Sequence, residues 1–235
     1  MNRFKTLKEE AFEANLEIPR RNLAIYTWGN VSAFDPGKGV FAIKPSGVSY
    51  DTLTADSIVV VDLEGKVVDG SFNPSSDTET HRILYREFAG EGIRGITHTH
   101  SPYAVAWSQA RYSVPVFGTT HADHGAEDIP CTEIMSAEAV SRNYELETGN
   151  LIVDTFRKMG KNPAHMPMVL VAGHGPFTWG KNASQSIYHA AVLEEVCKMA
   201  ILTLTLNPKA EALPDYITRK HWERKHGPGA YYGQR

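Results

Sequence analysis

The 235-residue chain has only two cysteines, Cys131 and Cys197. Two thiols cannot build a disulfide framework or an all-cysteine metal site. Neither sign of charge dominates: 24 Lys and Arg stand against 27 Asp and Glu, a formal charge of −3. That balance removes the electrostatic case for a nucleic-acid or anionic-membrane partner. Long apolar runs are missing as well. The richest stretch, residues 187–206, contains His189, Glu194, Glu195 and Lys198, which excludes a transmembrane reading. Residues 1–10 are mixed in charge and have no apolar signal segment, so a cytoplasmic protein is expected. No repeat, low-complexity tract or linker divides the chain, so one domain over 1–235 is expected. No G-x-G-x-x-G follows a strand pattern, which argues against a nicotinamide cofactor. Residues 175–181 have the spacing of a phosphate-binding G-x-x-x-x-G-K loop. However, Asn182 stands where Ser or Thr is required, and Pro176, Phe177 and Trp179 do not suit such a loop.

What remains is an alternation of helix and strand patterns. Phe4, Leu7, Ala11, Ala14 and Ile18 recur at helical spacing. They predict a helix over 3–17 that ends before Pro19. Strands are predicted at 39–44, 93–100, 114–117 and 168–172, and a hairpin at 57–62 and 66–69 around Glu64-Gly65. Helices are predicted at 78–88, 102–109, 183–206 and 212–225, with a further one at 143–159 interrupted near Gly149. Hairpins mixed with helix-separated strands imply an α/β chain with a mostly antiparallel central sheet and helices on both sides.

The chain is rich in histidine, with ten. His98-Thr99-His100 ends a predicted strand, where side chains at i and i+2 share a face and two imidazoles can converge on one cation. His174, between Gly173 and Gly175, and Asp77, in Pro74-Ser75-Ser76-Asp77, are candidates for further ligands of a divalent metal with an open coordination position. Each also has a plain structural reading. A His-x-His pair arises by chance in a histidine-rich chain, His174 suits a turn, and Asp77 suits the N-cap of the helix that follows. His81 and His189 read as surface or packing residues and His226 as solvated, while His121 and His124 flank Asp123. Three small-polar turns, Gly29-Asn30-Val31-Ser32, Lys44-Pro45-Ser46-Gly47 and Pro74-Ser75-Ser76-Asp77, can each offer N–H groups and hydroxyls to a phosphate, with Lys44 adding charge.

These motifs occur in one order along the chain, together with Gly118-Thr119-Thr120-His121-Ala122-Asp123 and Ala230-Tyr231-Tyr232-Gly233-Gln234. So ordered, they resemble the class II aldolase family, and nearly the whole chain takes part. The resemblance implies that Asp77, His98, His100 and His174 bind a divalent metal, typically zinc. It implies that Gly29, Asn30, Ser46, Gly47, Ser75 and Ser76 contact a sugar-phosphate substrate, chiefly its phosphate, beside the Lys44 that the turn itself offers. It implies that Asp123 and Tyr232 form an acid–base pair with His221 nearby, and that the chain forms a homotetramer with active sites between subunits. Within the family, the Gly-Thr-Thr-His-Ala-Asp and Tyr-Tyr-Gly-Gln runs point to the branch that interconverts L-ribulose 5-phosphate and D-xylulose 5-phosphate. The alternatives are an aldolase acting on a sugar such as L-fuculose 1-phosphate and a non-catalytic, adducin-like domain. One departure stands out: His124-Gly125-Ala126 follows Asp123 where the family pattern has an aromatic pair.

Overall fold

A computed structural model describes residues 3–231. The strands are β1 (Asn30–Asp35), β2 (Val40–Ile43), β3 (Val59–Asp62), β4 (Val67–Asp69), β5 (Gly95–His98), β6 (Met168–Leu170) and β7 (Pro176–Gly180). The helices are α1 (Lys5–Arg20), α2 (Thr78–Phe88), α3 (Pro102–Ala110), α4 (Thr119–Ala122), α5 (Ala137–Met159), α6 (Ala183–Leu206) and α7 (Asp215–His226). The strands form one seven-stranded sheet in the order β4-β3-β2-β1-β5-β7-β6, and every neighbouring pair is antiparallel. Among the described residues, no helix is long and apolar enough to cross a membrane.

Strand alternation sorts the side chains onto two faces. Val31, Ala33, Val40, Ala42 and Val60 pack with α1 and with Ala183, Ile187 and Ala190 at the start of α6. Phe34, Phe41, Ile43, Val59, Val61 and Ile96 face the larger core with α2, α5, α3 and the second half of α6. Buried polar groups in this frame are matched. Asn15 on α1 donates to Val31 O and accepts from Val31 N, both at 2.8 Å. The Glu194 carboxylate accepts the first-turn amides of α3, Tyr103 N at 3.0 Å and Ala104 N at 2.9 Å. It thereby fixes the helix that starts directly after His100, because a carboxylate at a helix N-terminus satisfies orphan donors and complements the dipole.

Several boundaries differ from the sequence reading. Helix α1 runs through Pro19 and stops at a left-handed Asn22, φ 56°. Leu23 N donates to Ile18 O and Asn22 N to Pro19 O. This is the 6→1 and 5→2 pattern of a Schellman stop, so Asn22 rather than the proline ends the helix. Strands β1 and β7 carry no predicted strand, although both lie inside the sheet. In β1 the second face carries Asn30 and Ser32, which hides the apolar alternation. In β7 the bounding Pro176 and Gly180 read as loop residues. Pro176 is the first residue of the strand, where proline is tolerated. Residues 114–117 form no strand but a single bridge, Val114 to Ile129. Helix α5 breaks at Asn143 (φ −162°, ψ 100°), not at Gly149. Gly149 lies in continuous helix against α2, where an added Cβ would stand 2.8 Å from Ile83 Cβ.

Candidate active site

Strand β5 ends in His98, and His100 follows two residues on. His98 lies opposite Asn30 in β1 and Phe177 in β7. The β6–β7 connection brings in His174. The three imidazole rings stand 4.8–5.4 Å apart between centroids, and one ligand nitrogen from each falls within 4.8 Å of the others. Small residues permit this approach. A Cβ on Gly175 would meet Thr99 O at 3.0 Å. His98 Nδ1–H donates to Pro176 O at 2.9 Å, which fixes the ring and leaves Nε2 free, the usual arrangement behind a ligating imidazole. Burial first, and then the charge of His98, pushes His174 down to about 3. Burial also lowers His100. These two rings are therefore neutral at pH 7, as ligation requires. His174 Nδ1 is buried with no hydrogen-bond partner among the described residues. Three converging imidazoles with an orphaned nitrogen suit a borderline divalent cation.

The three small-polar turns gather beside this cluster. Pro45 bridges to Pro74. Ser46 N donates to Asn73 O and Ser75 N to Lys44 O, each at 3.0 Å. Asn30 Nδ2 donates to Ser75 Oγ at 3.1 Å and to Asp77 Oδ2 at 2.6 Å. Tyr50 Oη donates to the carbonyls of Trp28 and Gly29. The result is one pocket of about 570 Å³ lined by Gly29, Asn30, Lys44, Ser46, Gly47, Ser75, Ser76, Asp77, His98, His100 and His174. Asp77 occupies the N-cap position of α2 but makes no side-chain cap bond. Its carboxylate goes to Asn30 instead. It is not one of the mutually close ligand atoms, which come from the three histidines. Burial works against charge on Asp77, yet the imidazoles of His98 and His81 and the Asn30 amide hold its carboxyl below the usual range. Lys44 is buried, and its ammonium meets the Thr27 carbonyl at 3.3 Å, the Pro45 carbonyl at 3.5 Å and the face of the Tyr50 ring at 5.0 Å from its centroid. Burial lowers it to about 8. A buried cation so thinly satisfied is suited to an anion.

Gly29 is required where it stands. Its φ is 77°, and a Cβ would lie 2.8 Å from the carbonyl oxygen of His98. Gly29→Ala is expected to lower stability by about 2 kcal/mol or more, from the left-handed penalty and the backbone clash together. The denaturant midpoint checks this.

Asp123 and His221 do not line this pocket. Asp123 closes α4 and faces α7, where His221 Nδ1 stands 3.0 Å from Oδ1, Arg224 Nε donates to Oδ1 at 3.0 Å and Arg224 Nη2 to Oδ2 at 2.5 Å. Lys225 Nζ lies 3.5 Å from Oδ2. Burial opposes the charge, but Arg224, His221 and Lys225 overcome it and bring the carboxyl down to about 2. His226 is not simply solvated: it bonds Asp123 O at 3.0 Å and stacks on Trp222. His121 bonds Glu127 O, and His124 bonds Thr120 O and Tyr188, so neither touches the Asp123 carboxylate. His189 bonds Trp179 O as a packing residue. Tyr232 lies outside the described residues.

The sequence reading left out Thr27 and Trp28, which adjoin Gly29, and two pocket residues far from the other turns, Tyr144 and Glu145. The latter two occupy the first turn after the break in α5, where Asn143 Oδ1 accepts from Leu146 N at 3.1 Å. An asparagine three residues before a capped amide is a helix-start signal, and it was legible at 143. Tyr144 also stands 5.8 Å from His174, ring to ring.

A family model, Class II Aldolase and Adducin N-terminal domain, matches residues 9–201. The L-ribulose-5-phosphate 4-epimerases UlaF of Salmonella paratyphi C and Salmonella typhi are each 49% identical over 97% of this chain and 99% of their own length. Among solved structures, an L-fuculose 1-phosphate aldolase superposes with a TM-score of 0.78 at 25% identity, covering 93% of this chain and 95% of its own. YgbL of Klebsiella pneumoniae, titled a putative aldolase/epimerase/decarboxylase, shares the fold with a TM-score of 0.71 at 23% identity, over 92% of this chain and 97% of its own. By a match spanning most of its length, by relatives at half identity end to end and by its fold, the chain belongs to the class II aldolase and adducin family.

Proposed function

We propose that this chain is an enzyme that interconverts L-ribulose 5-phosphate and D-xylulose 5-phosphate by inverting C4. The observation that carries the reading is the meeting, in one pocket, of three mutually close imidazoles and a buried, poorly satisfied Lys44 among hydroxyl-rich turns. The 49% identical relatives bear the name L-ribulose-5-phosphate 4-epimerase. In such a substrate C4 is not adjacent to the C2 carbonyl, so its C–H is not acidic and direct deprotonation fails. Breaking C3–C4 and remaking it after the aldehyde has turned over inverts the centre without a redox cofactor. His98, His100 and His174, with Asp77, would hold a divalent cation, zinc by preference, which would supply Lewis-acid stabilisation to the charge that develops as the bond breaks.

The chain's own groups do the rest. Lys44, Ser46, Gly47, Ser75 and Ser76 hold the phosphate, so the aldehyde fragment stays bound while it rotates. Gly29 keeps the backbone close at the pocket floor. Asn30 Oδ1, buried and without a partner among the described residues, is left to accept from a substrate hydroxyl. The C4 oxygen points opposite ways in the two epimers, so two acid–base groups are needed. Asp123, kept ionised by Arg224 and His221, takes the proton on one face. Tyr232, whose ordinary pKa is near 10, serves the other. His221 orients Asp123. As Asp123 and His221 lie away from the pocket of their own chain, they serve the pocket of a neighbouring subunit in a homotetramer.

The test is a coupled assay with L-ribulose 5-phosphate that follows D-xylulose 5-phosphate, with chelator and with zinc restored. Metal-dependent product is expected. No product from metal-loaded protein sinks the reading. Cleavage of L-fuculose 1-phosphate in its place would establish the aldolase alternative, which the 0.78 TM-score favours as the second reading.

Lys44 sets a pH limit on substrate capture. A lysine is cationic below its pKa, and burial brings this one to about 8. It is charged at pH 7 and loses charge as pH rises through that value. A limb of kcat/KM that falls above pH about 8 is therefore expected, since that ratio reports the free enzyme. Lys44→Met should lower kcat/KM by about 10–100-fold, the worth of a hydrogen bond to a charged group, and remove that limb. A pH profile of both proteins measures it.

A further inference from the structure

His81 has no part in the chemistry above. It is wholly buried, yet its Nε2 has no hydrogen-bond partner among the described residues. Orphaned buried polar atoms are rare in native structures and call for a cause. The geometry of β1 and α2 supplies one. Side chains on one face of a strand recur every two residues, about 6.6–6.8 Å. Those on one face of a helix recur every four, about 6 Å. The two repeats run nearly in step. Asn30, Ser32 and Phe34 of β1 therefore meet Asp77, His81 and Tyr85 along α2. Asn30 Nδ2 donates to Asp77 Oδ2 at 2.6 Å. Ser32 Oγ stands 2.7 Å from both His81 Nδ1 and Tyr85 Oη. Phe34 stacks on Tyr85 at 4.7 Å.

This polar seam starts at the pocket and runs inward, with His81 one helical turn behind Asp77. The His81 backbone N–H donates to Asp77 O at 3.0 Å. The His81 ring meets the edge of Phe177 at 6.2 Å, and Phe177 stacks on His98 at 4.3 Å. Its neighbours are thus Asp77, which lines the pocket, and Phe177, which backs the pocket residue His98. The proton order in the seam follows from charge. Asp77 and His81 act on each other through charge, so a lone pair on Nε2 is unfavourable with that carboxylate one helical turn away, whereas an N–H is favourable. Placing the proton on Nε2 requires Ser32 to donate to Nδ1 and Tyr85 to donate to Ser32. Both can, since each hydroxyl donates and accepts.

We propose that the Tyr85–Ser32–His81 relay fixes His81 as the Nε2–H tautomer, and that His81 is a positioning residue: its Nε2–H, without a partner among the described residues, takes up the Asp77 carboxylate when a divalent cation is held at the three-histidine cluster. The inference rests on the proposed metal role of Asp77 and deepens it. Imidazole hydrogen bonds to ligating carboxylates are the type of contact that tunes a metal site from behind its ligands.

The test uses Co²⁺ alone, titrated into the full chain against a competing chelator, with the visible spectrum as readout. Thermal unfolding of the metal-free protein runs beside it. His81→Leu is expected to weaken Co²⁺ binding about 10–100-fold while the metal-free melting temperature stays level or rises, because an orphaned polar atom has been replaced by an apolar group. His81→Gln, which returns an amide donor near the Nε2 position, should recover most of the affinity. Tyr85→Phe, a conservative change, should weaken binding severalfold. Adding His81→Leu to Asp77→Asn should cost no more than Asp77→Asn alone, since both act on one interaction. If folded His81→Leu or Tyr85→Phe binds Co²⁺ within about twofold of the unaltered chain while Asp77→Asn does not, His81 is a packing residue and the inference is overturned. If Asp77→Asn itself leaves affinity and spectrum unchanged, the inference falls together with the ligand role of Asp77. The three-histidine site fails separately, by undiminished Co²⁺ binding in His98→Asn.

Discussion

Mixing two inactive variants, His98→Asn and Asp123→Asn, is expected to restore activity, to about a quarter of the unaltered level. The expectation follows from where the two groups stand. His98 faces the pocket, and Asp123 sits in the α4–α7 cluster, which contributes nothing to that pocket's walls. If each active site takes its histidines from one subunit and its acid–base pair from the next, a site is whole when its first subunit is an Asp123→Asn chain and its second a His98→Asn chain. Random assembly of equal amounts in a closed ring makes about one site in four whole. Each variant alone has none. The measurement is the epimerase assay after the two chains are co-expressed or unfolded and refolded together, with each variant alone as control. A mixture no more active than its parents would put both groups in one chain's site. The same arrangement predicts why an isolated subunit holds Asp123 so low, at about 2. Its carboxylate is saturated by Arg224, His221 and Lys225 of its own chain.

Helix α2, over 78–88, and helix α6, over 183–206, are where the sequence predicts them to the residue. Both have strong local signals: α2 has an apolar stripe, and α6 is a long apolar-rich run opened by an Asn182 side chain that caps Gln185 N. The hairpin of β3 and β4 is equally plain, because Glu64-Gly65 separates two β-branched runs. The losses occur where local pattern serves the site. In β1, Asn30 and Ser32 occupy inward positions that an ordinary strand fills with Val or Ile, since they face Asp77 and His81 across the helix–sheet interface. In β7, Gly175 and Gly180 keep the backbone close to Thr99 and Gln185, and with Pro176 they make the strand read as a loop. His81 reads as a packing residue for the same reason: a helical periodicity gives its face but not the hydroxyl that meets it from β1. The pocket is more legible than the sheet beneath it. The turns that line it carry their chemistry in contiguous residues, whereas Tyr144 and Glu145 reach it only because α5 breaks at Asn143. The separation of Asp123 from the pocket is invisible in sequence, since no motif records which chain a side chain serves.

The second large effect belongs to the histidine cluster. His98→Asn is expected to abolish stable metal binding and to lower kcat by about three orders of magnitude, the scale of several kcal/mol of charge stabilisation. Asparagine can still reach the Pro176 carbonyl that now accepts from His98 Nδ1, so the fold should survive and the loss should be chemical. His189→Asn is the matched control. His189 is also a histidine bonded to a β7 carbonyl, that of Trp179, but it stands outside the cluster and should leave metal content unchanged. Metal analysis, steady-state kinetics and thermal unfolding of both variants separate the two. The chelated protein offers a further check on the same buried rings. Burial brings His81 and His174 to about 3, so the folded chain releases protons that the unfolded chain, with imidazoles near 6.5, still holds. Stability of the metal-free protein is therefore full above pH about 7 and is lost as pH falls from about 6.5 toward about 3. A bound cation adds stability to the folded state at neutral pH, where the rings are free to ligate. Protons compete for those rings as the solution is acidified. The gap in melting temperature between metal-loaded and chelated protein should thus be wide at pH 7 and close at acid pH. A gap that stays constant with pH would mean that the metal is not held by these histidines.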